Sequence, residues 1–134
     1  MKPPNLNKFA ADYTAAWCSQ RASGVASFFS ASGSLQINDG APSVGRSSIT
    51  AVAQGFMTAF RDLSVKMDKL VVDSNRIEYH WTLTGTNSGP GGTGKAVHIS
   101  GFEVWKFGLD GLIVESKGHF DKSEYDRQLI VGAP

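Results

Sequence analysis

Apolar residues in the first sixty positions recur at three- and four-residue intervals, the spacing that lines one face of a helix. Leu6, Phe9, Ala10, Tyr13 and Trp17 form the first such face, with Asn5 as its cap and Pro3–Pro4 ending a short disordered lead. A second short helix starts at Ser23 or Gly24 and ends at Phe28 and Phe29, and SASGS breaks it before an extended run from Leu35 to Asn38. Gly40, Pro42 and Gly45 make a loop. Ser47 or Ser48 then caps a third helix striped by Ile49, Val52, Ala53, Phe56, Met57 and Phe60. Gly55 weakens that helix by about 1 kcal/mol against Ala, which points to close packing at that position.

From Ser64 the period changes to two, through Val65, Met67, Leu70 and Val72, and Ser74 with Asn75 reads as a hairpin turn. Between Tyr79 and Asp121 the alternation continues in three runs, separated by a Gly-rich loop and a tight turn, as consecutive antiparallel strands do. Ile77, Tyr79, Trp81 and Leu83 share one face, and Glu78, His80, Thr82 and Thr84 the other. Asp121 followed by Glu124 matches a capping box and opens a last short helix containing Tyr125 and Leu129. The pattern predicts one α+β domain over residues 1–134. Its architecture is a cone-shaped barrel, a strongly curved, mostly antiparallel sheet packed on three N-terminal helices, closed by a short C-terminal helix. A cavity is expected between the helices and the concave face.

Composition narrows the function classes. Thirteen basic against twelve acidic residues leave a net charge of +1, with no basic stripe for phosphate contacts, so nucleic acid is disfavoured. No segment has the apolar length of a membrane span and the N-terminus has no signal-peptide pattern, so a cytoplasmic protein without a membrane partner is expected. Cys18 stands alone in a helical pattern and reads as a buried structural thiol. His80, His98 and His119 lack metal-ligand spacing and fall outside the apolar alternation, which suits solvent or a dimer interface; no metal and no cofactor are expected. Gly89–Lys95, GPGGTGK, has phosphate-loop spacing, but Ala96 follows where Ser or Thr would bind magnesium, and a strand pattern replaces the required helix. It reads as a flexible hairpin loop.

The order of elements, with the strings GTNSGPGGTGKAVHISG, DGLIVES, Phe120–Asp121 and Gln128–Leu129, resembles the SnoaL-like polyketide cyclases, within the nuclear transport factor 2-like and ketosteroid isomerase-like superfamily. The resemblance spans nearly the whole chain. It implies the cone fold, a homodimer paired through the sheet, and either acid–base chemistry on a carbonyl compound or binding without chemistry. Carried over by position, the cyclases' catalytic aspartate falls on Gly118, one nearby histidine on Ser116 and another on Glu103. From the ketosteroid isomerases, Tyr13 falls on the tyrosine that donates to the substrate oxygen and Glu103 on the carboxylic acid beside it. The proton-shuttling carboxylate falls on Ile37, and a slip of two residues would bring Asp39 there. His119 and Asp121 lie, by parity, on the face opposite Ser116, Gly118 and Phe120.

Glu103 is the most informative residue, because alternation through Val97, Ile99, Gly101, Trp105 and Phe107 puts its carboxyl on an apolar face. Two readings stand for it, a protonated pocket donor or a buried ion pair or dimer contact. The expected ligand is a small, largely apolar molecule held by Trp17, Phe56, Phe60, Trp81, Ser116 and Phe120. Tyr13, Glu103 and Asp39 are the candidate catalytic groups. The alternative is a non-catalytic ligand-binding or assembly module.

Overall fold

The computed structural model describes residues 3–74 and 76–134; the two residues that begin the expected lead, and Asn75 of the expected hairpin turn, lie outside the described residues. Its elements run α1 (Leu6–Cys18), α2 (Ala22–Ala26), β1 (Phe29–Ile37), β2 (Ser43–Val44), α3 (Arg46–Ala59), β3 (Ser64–Asp73), β4 (Arg76–Thr86), β5 (Ala96–Phe107), β6 (Ile113–Phe120) and α4 (Lys122–Val131). The strand order is β2-β1-β6-β5-β4-β3, mixed because β1 and β6 run parallel while the other neighbours are antiparallel. The α+β class and the curved sheet are as the sequence indicates. The sheet stays open, ending on β2 and β3 rather than closing into a barrel.

Two of the three predicted caps form, and the one at Ser47 or Ser48 does not. The Asn5 side chain accepts the Lys8 N–H at 3.0 Å, and Asp121 accepts the Glu124 N–H at 3.0 Å, each satisfying a backbone donor that a helix start leaves unpaired. The third helix begins earlier than expected, on Gly45 at φ 89°, a conformation that favours glycine. The SASGS segment is strand rather than break: β1 opens at Phe29 and its register shifts between Phe29 and Ser34. A Cβ on Gly33 would stand 2.8 Å from the Ile113 carbonyl, so glycine lets β1 pass close to β6 there. In β3 the apolar spacing skips from Met67 to Leu70, and the register shift against β4 falls between Met67 and Lys69. The extra residue restores both flanking positions to the same face.

Helices α1, α2 and α3 cover the concave side, burying Ala10, Tyr13, Ala22, Val25, Phe29, Ile49, Ala53, Met57, Tyr79, Trp105 and Ile113 in one core. Helix α4 ties down β5 through the buried Gln128, whose amide accepts the His98 N–H at 2.6 Å and donates to the His98 carbonyl at 3.1 Å. No helix among the described residues is long and apolar enough to cross a membrane. Two local expectations are corrected. Gly55 is exposed, with open space where a side chain would go, so close packing does not account for it. Cys18 is exposed rather than buried, at the end of α1, with its thiol at 3.3 Å from both the N–H and the carbonyl of Val65.

Candidate functional site

The site is built on one row across the sheet. Tyr79 pairs with Glu103, Glu103 with Gly118, and Gly118 with Ile37, so four strands each place one residue on the same concave line. The next row is Trp81, Gly101 and Phe120. A Cβ on Gly101 would sit 2.4 Å from the His119 carbonyl and 2.7 Å from the Trp81 ring, which makes glycine the condition for Trp81 and Phe120 to approach, at 6.0 Å between ring centroids.

Between this surface and the helices lies a cavity of about 70 Å³, well above the about 10–15 Å³ that a single water needs. Its walls are Trp17 from α1, Phe56 from α3, Leu35 and Ile37 from β1, Val65 from β3, Tyr79, Trp81 and Leu83 from β4, Ile99 and Glu103 from β5, and Gly118 and Phe120 from β6. Trp81, Phe56, Phe120 and Ile37 are half-buried and form its rim; the other side chains named are buried.

Glu103 is the one carboxylate in this wall. Tyr13 donates its hydroxyl to Oε1 at 2.9 Å, Trp105 its indole N–H at 3.0 Å and Ser116 its hydroxyl at 2.7 Å. Oε2 has only the longer arm of the Tyr13 contact, at 3.2 Å. One oxygen is thus saturated and the other has lone pairs to spare. None of the salt bridges among the described residues involves Glu103. Burial drives its pKa above the ordinary carboxylate range, while the hydrogen bonds from Ser116, Trp105 and Tyr13 pull the other way. Burial, and then the Glu103 charge, push the Tyr13 hydroxyl well above its usual value; burial raises Tyr79 too, so both phenols stay neutral.

The structure brings Trp17, Phe56, Trp81, Glu103 and Phe120 together in the cavity wall. Tyr13 and Ser116 lie behind the carboxyl, fully buried and bonded to it, outside the cavity wall. Phe60 is also away from the wall, in the core against Gly85 and 6.4 Å in centroid distance from Tyr125. Asp39 is exposed in the turn after β1. That turn is set by Asn38 at φ 50°, whose N–H donates to Gly118 and whose side chain accepts the Phe120 N–H, so the chain leaves the sheet before Asp39.

Ile37, where the resemblance puts the isomerase base, lines the cavity and is apolar. Residues 118 to 120 pair with β5 without a bulge, and Asp121 caps α4. Of the wall residues outside the candidate set, Tyr79, Leu83 and Ile99 sit on the faces that the alternation defines, and Leu35 and Ile37 follow the same parity in β1. That parity was the available signal. Among the described residues no cluster of three or more potential metal ligands occurs.

The profile of the SnoaL-like polyketide cyclases matches residues 8–129. The chain belongs to this family. Its fold is the nuclear transport factor 2-like, ketosteroid isomerase-like one. A ketosteroid isomerase-like protein from Catenulispora acidiphila, solved with trimethylamine, superposes at TM-score 0.79 and 15% identity, covering 95% of this chain and 93% of that one. AclR from Streptomyces galilaeus superposes at 0.76 and 23% identity, covering 92% and 93%. TerC crystallised with polyporic acid superposes at 0.74 and 11% identity, covering 92% and 96%. Among curated proteins none matches the chain. Gly118, the residue on which the resemblance puts the cyclases' aspartate, lies in the cavity wall beside Glu103 and has no side chain.

Proposed function

We propose that this SnoaL-like domain binds a small, largely apolar molecule in the cavity, oriented by Glu103. The observation that carries the reading is a buried carboxyl in the wall of an otherwise apolar cavity, without a counter-ion among the described residues and with one oxygen short of hydrogen bonds. A built carboxyl in such a place is costly to the fold unless something in the cavity uses it. Neighbours of the same fold solved with trimethylamine and with polyporic acid are consistent with a small ligand here.

Turnover would need a second group. Enolisation of a carbonyl compound would use neutral Glu103 as the donor to the substrate oxygen, with Tyr13 acting through Glu103 as a positioning residue. The base it would also require has no candidate in the wall, where Gly118 and Ile37 stand on either side and Asp39 is outside. Binding without proton shuttling is therefore the reading these residues support best.

A small neutral ketone, cyclohexanone, titrated against methyl-labelled protein tests it. Shifts confined to Leu35, Ile37, Val65, Leu83 and Ile99 support the reading, and a titration that leaves those methyls unmoved removes it.

The outer face of the sheet favours a second copy of the chain as partner. His80 stacks on Phe102 at 5.2 Å between centroids, and Phe102 meets His119 at 4.9 Å, a continuous aromatic row across β4, β5 and β6 on the side away from the helices. Sedimentation of the wild type and of Phe102→Glu checks this: a dimer that the substitution dissociates is expected, and a wild-type monomer contradicts it.

A further inference from the structure

Five aromatic side chains, Trp17, Phe56, Tyr79, Trp81 and Phe120, ring a space that contains one carboxyl group and no basic side chain. Such walls offer an anion nothing: no cationic group lines them, and the three polar hydrogens nearest Glu103 are already given to its Oε1. They offer a cation two things. Aromatic rings present negative faces to it, and a carboxylate supplies the compensating charge. Three donors converging on one carboxylate oxygen offset part of the burial that favours its neutral form, and a bound cation would favour the charged form. Size restricts the occupant as well, since a cavity of about 70 Å³ suits a compact head rather than a ring system.

Resting on the reading of the cavity as a ligand site, we propose that its occupant is a tertiary or quaternary alkylammonium, either free or as the head of a larger molecule, paired with Glu103 Oε2 and enclosed by the aromatic ring. Its methyl groups fill the apolar space and its charge is met by the carboxylate. The rim of half-buried Trp81, Phe56, Phe120 and Ile37 leaves the way for a longer substituent to extend outward. Charge neutralisation here needs no residue from elsewhere in the chain.

Tetramethylammonium and tert-butanol, a cation and a neutral molecule of matched size, provide the test, titrated at pH 8 while the cavity methyls are followed by NMR. The cation is expected to bind on the order of tenfold tighter than the alcohol, and Glu103→Gln to erase that preference. In wild-type protein, lowering the pH through the protonation of Glu103 is expected to weaken cation binding and leave the alcohol unaffected. Tyr13 and Tyr79, the titratable groups against the carboxyl, stay neutral across this range, so Glu103 is the group of this trio that changes charge. This pH arm stands even if the Gln variant fails to fold. Equal or tighter binding of tert-butanol, or cation affinity unchanged by pH, overturns the proposal and leaves the ligand site standing. Unmoved cavity methyls with both probes overturn the two together.

Discussion

Tyr13 and Glu103, 90 residues apart in the chain, form one buried unit in which the tyrosine hydroxyl spans both carboxylate oxygens at 2.9 and 3.2 Å. The unit joins α1 to the central strand β5 and fixes the orientation of the only carboxylate in the cavity wall. Removing the hydroxyl with Tyr13→Phe is expected to cost about 1–3 kcal/mol of stability, the range for leaving a buried polar partner short of a hydrogen bond. It should also raise the Glu103 pKa further, because one of the bonds that favour its charged form is lost. Urea unfolding measures the first effect.

Glu103 also shapes the pH dependence of folding. Its folded pKa is raised, so as pH climbs above the ordinary value of about 4.3 the unfolded chain loses this proton while the folded chain keeps it. The folded state then binds more protons, and stability falls until the folded carboxyl titrates as well. Glu103→Gln removes this contribution. Wild type should thus compare best with the variant near pH 4 and progressively worse toward neutrality. Glu78, Asp62, Asp110 and Glu124, whose pKa values are lowered, work in the opposite sense but do so equally in both proteins, so the difference isolates Glu103. Unfolding curves at several pH values provide the comparison.

Gly118 is the place to close the cavity without disturbing the fold. A Cβ there meets only the Gln36 carbonyl at 3.4 Å and Glu103 Cγ at 3.8 Å, ordinary contact distances. Gly118→Val is expected to fold, with stability changed by less than about 1 kcal/mol since valine suits a strand, and to lose cyclohexanone binding. Calorimetry with ketone titration on the same sample would check both halves.

The glycines of α3 and β5 are predicted to respond in opposite directions. Gly55→Ala should stabilise by about 0.5–1 kcal/mol, since the position is exposed, helical and open. Gly101→Ala should destabilise by about 1–3 kcal/mol, because its methyl would press on the His119 carbonyl and the Trp81 ring. Thermal melts of the two variants decide this.

Much of this was legible in the chain because alternation is a local signal. The faces of β4 and β5 that put Tyr79, Trp81, Ile99 and Glu103 on one side follow from period two alone, and the skip from Met67 to Leu70 even marks the bulge in β3. What the sequence could not carry was depth. Tyr13 and Phe60 share helical stripes with the wall residues Trp17 and Phe56, yet only the packing of helix on sheet decides which of each pair reaches the cavity. Gly55 misled for a related reason, since a helical glycine looks the same whether it faces a neighbour or solvent. Asp39 was lost to a turn whose direction depends on Asn38 bonding to β6, a contact between residues 82 apart.

Carboxyl-carbon NMR of Glu103, titrated with pH in the wild type and in Tyr13→Phe, free and with cyclohexanone, bears most directly on a desolvated, ligand-facing carboxyl. A pKa above about 4.3, higher still in Tyr13→Phe and shifted when the ketone is added, is the predicted result. A Glu103 that titrates near the ordinary value and responds to neither change would contradict it.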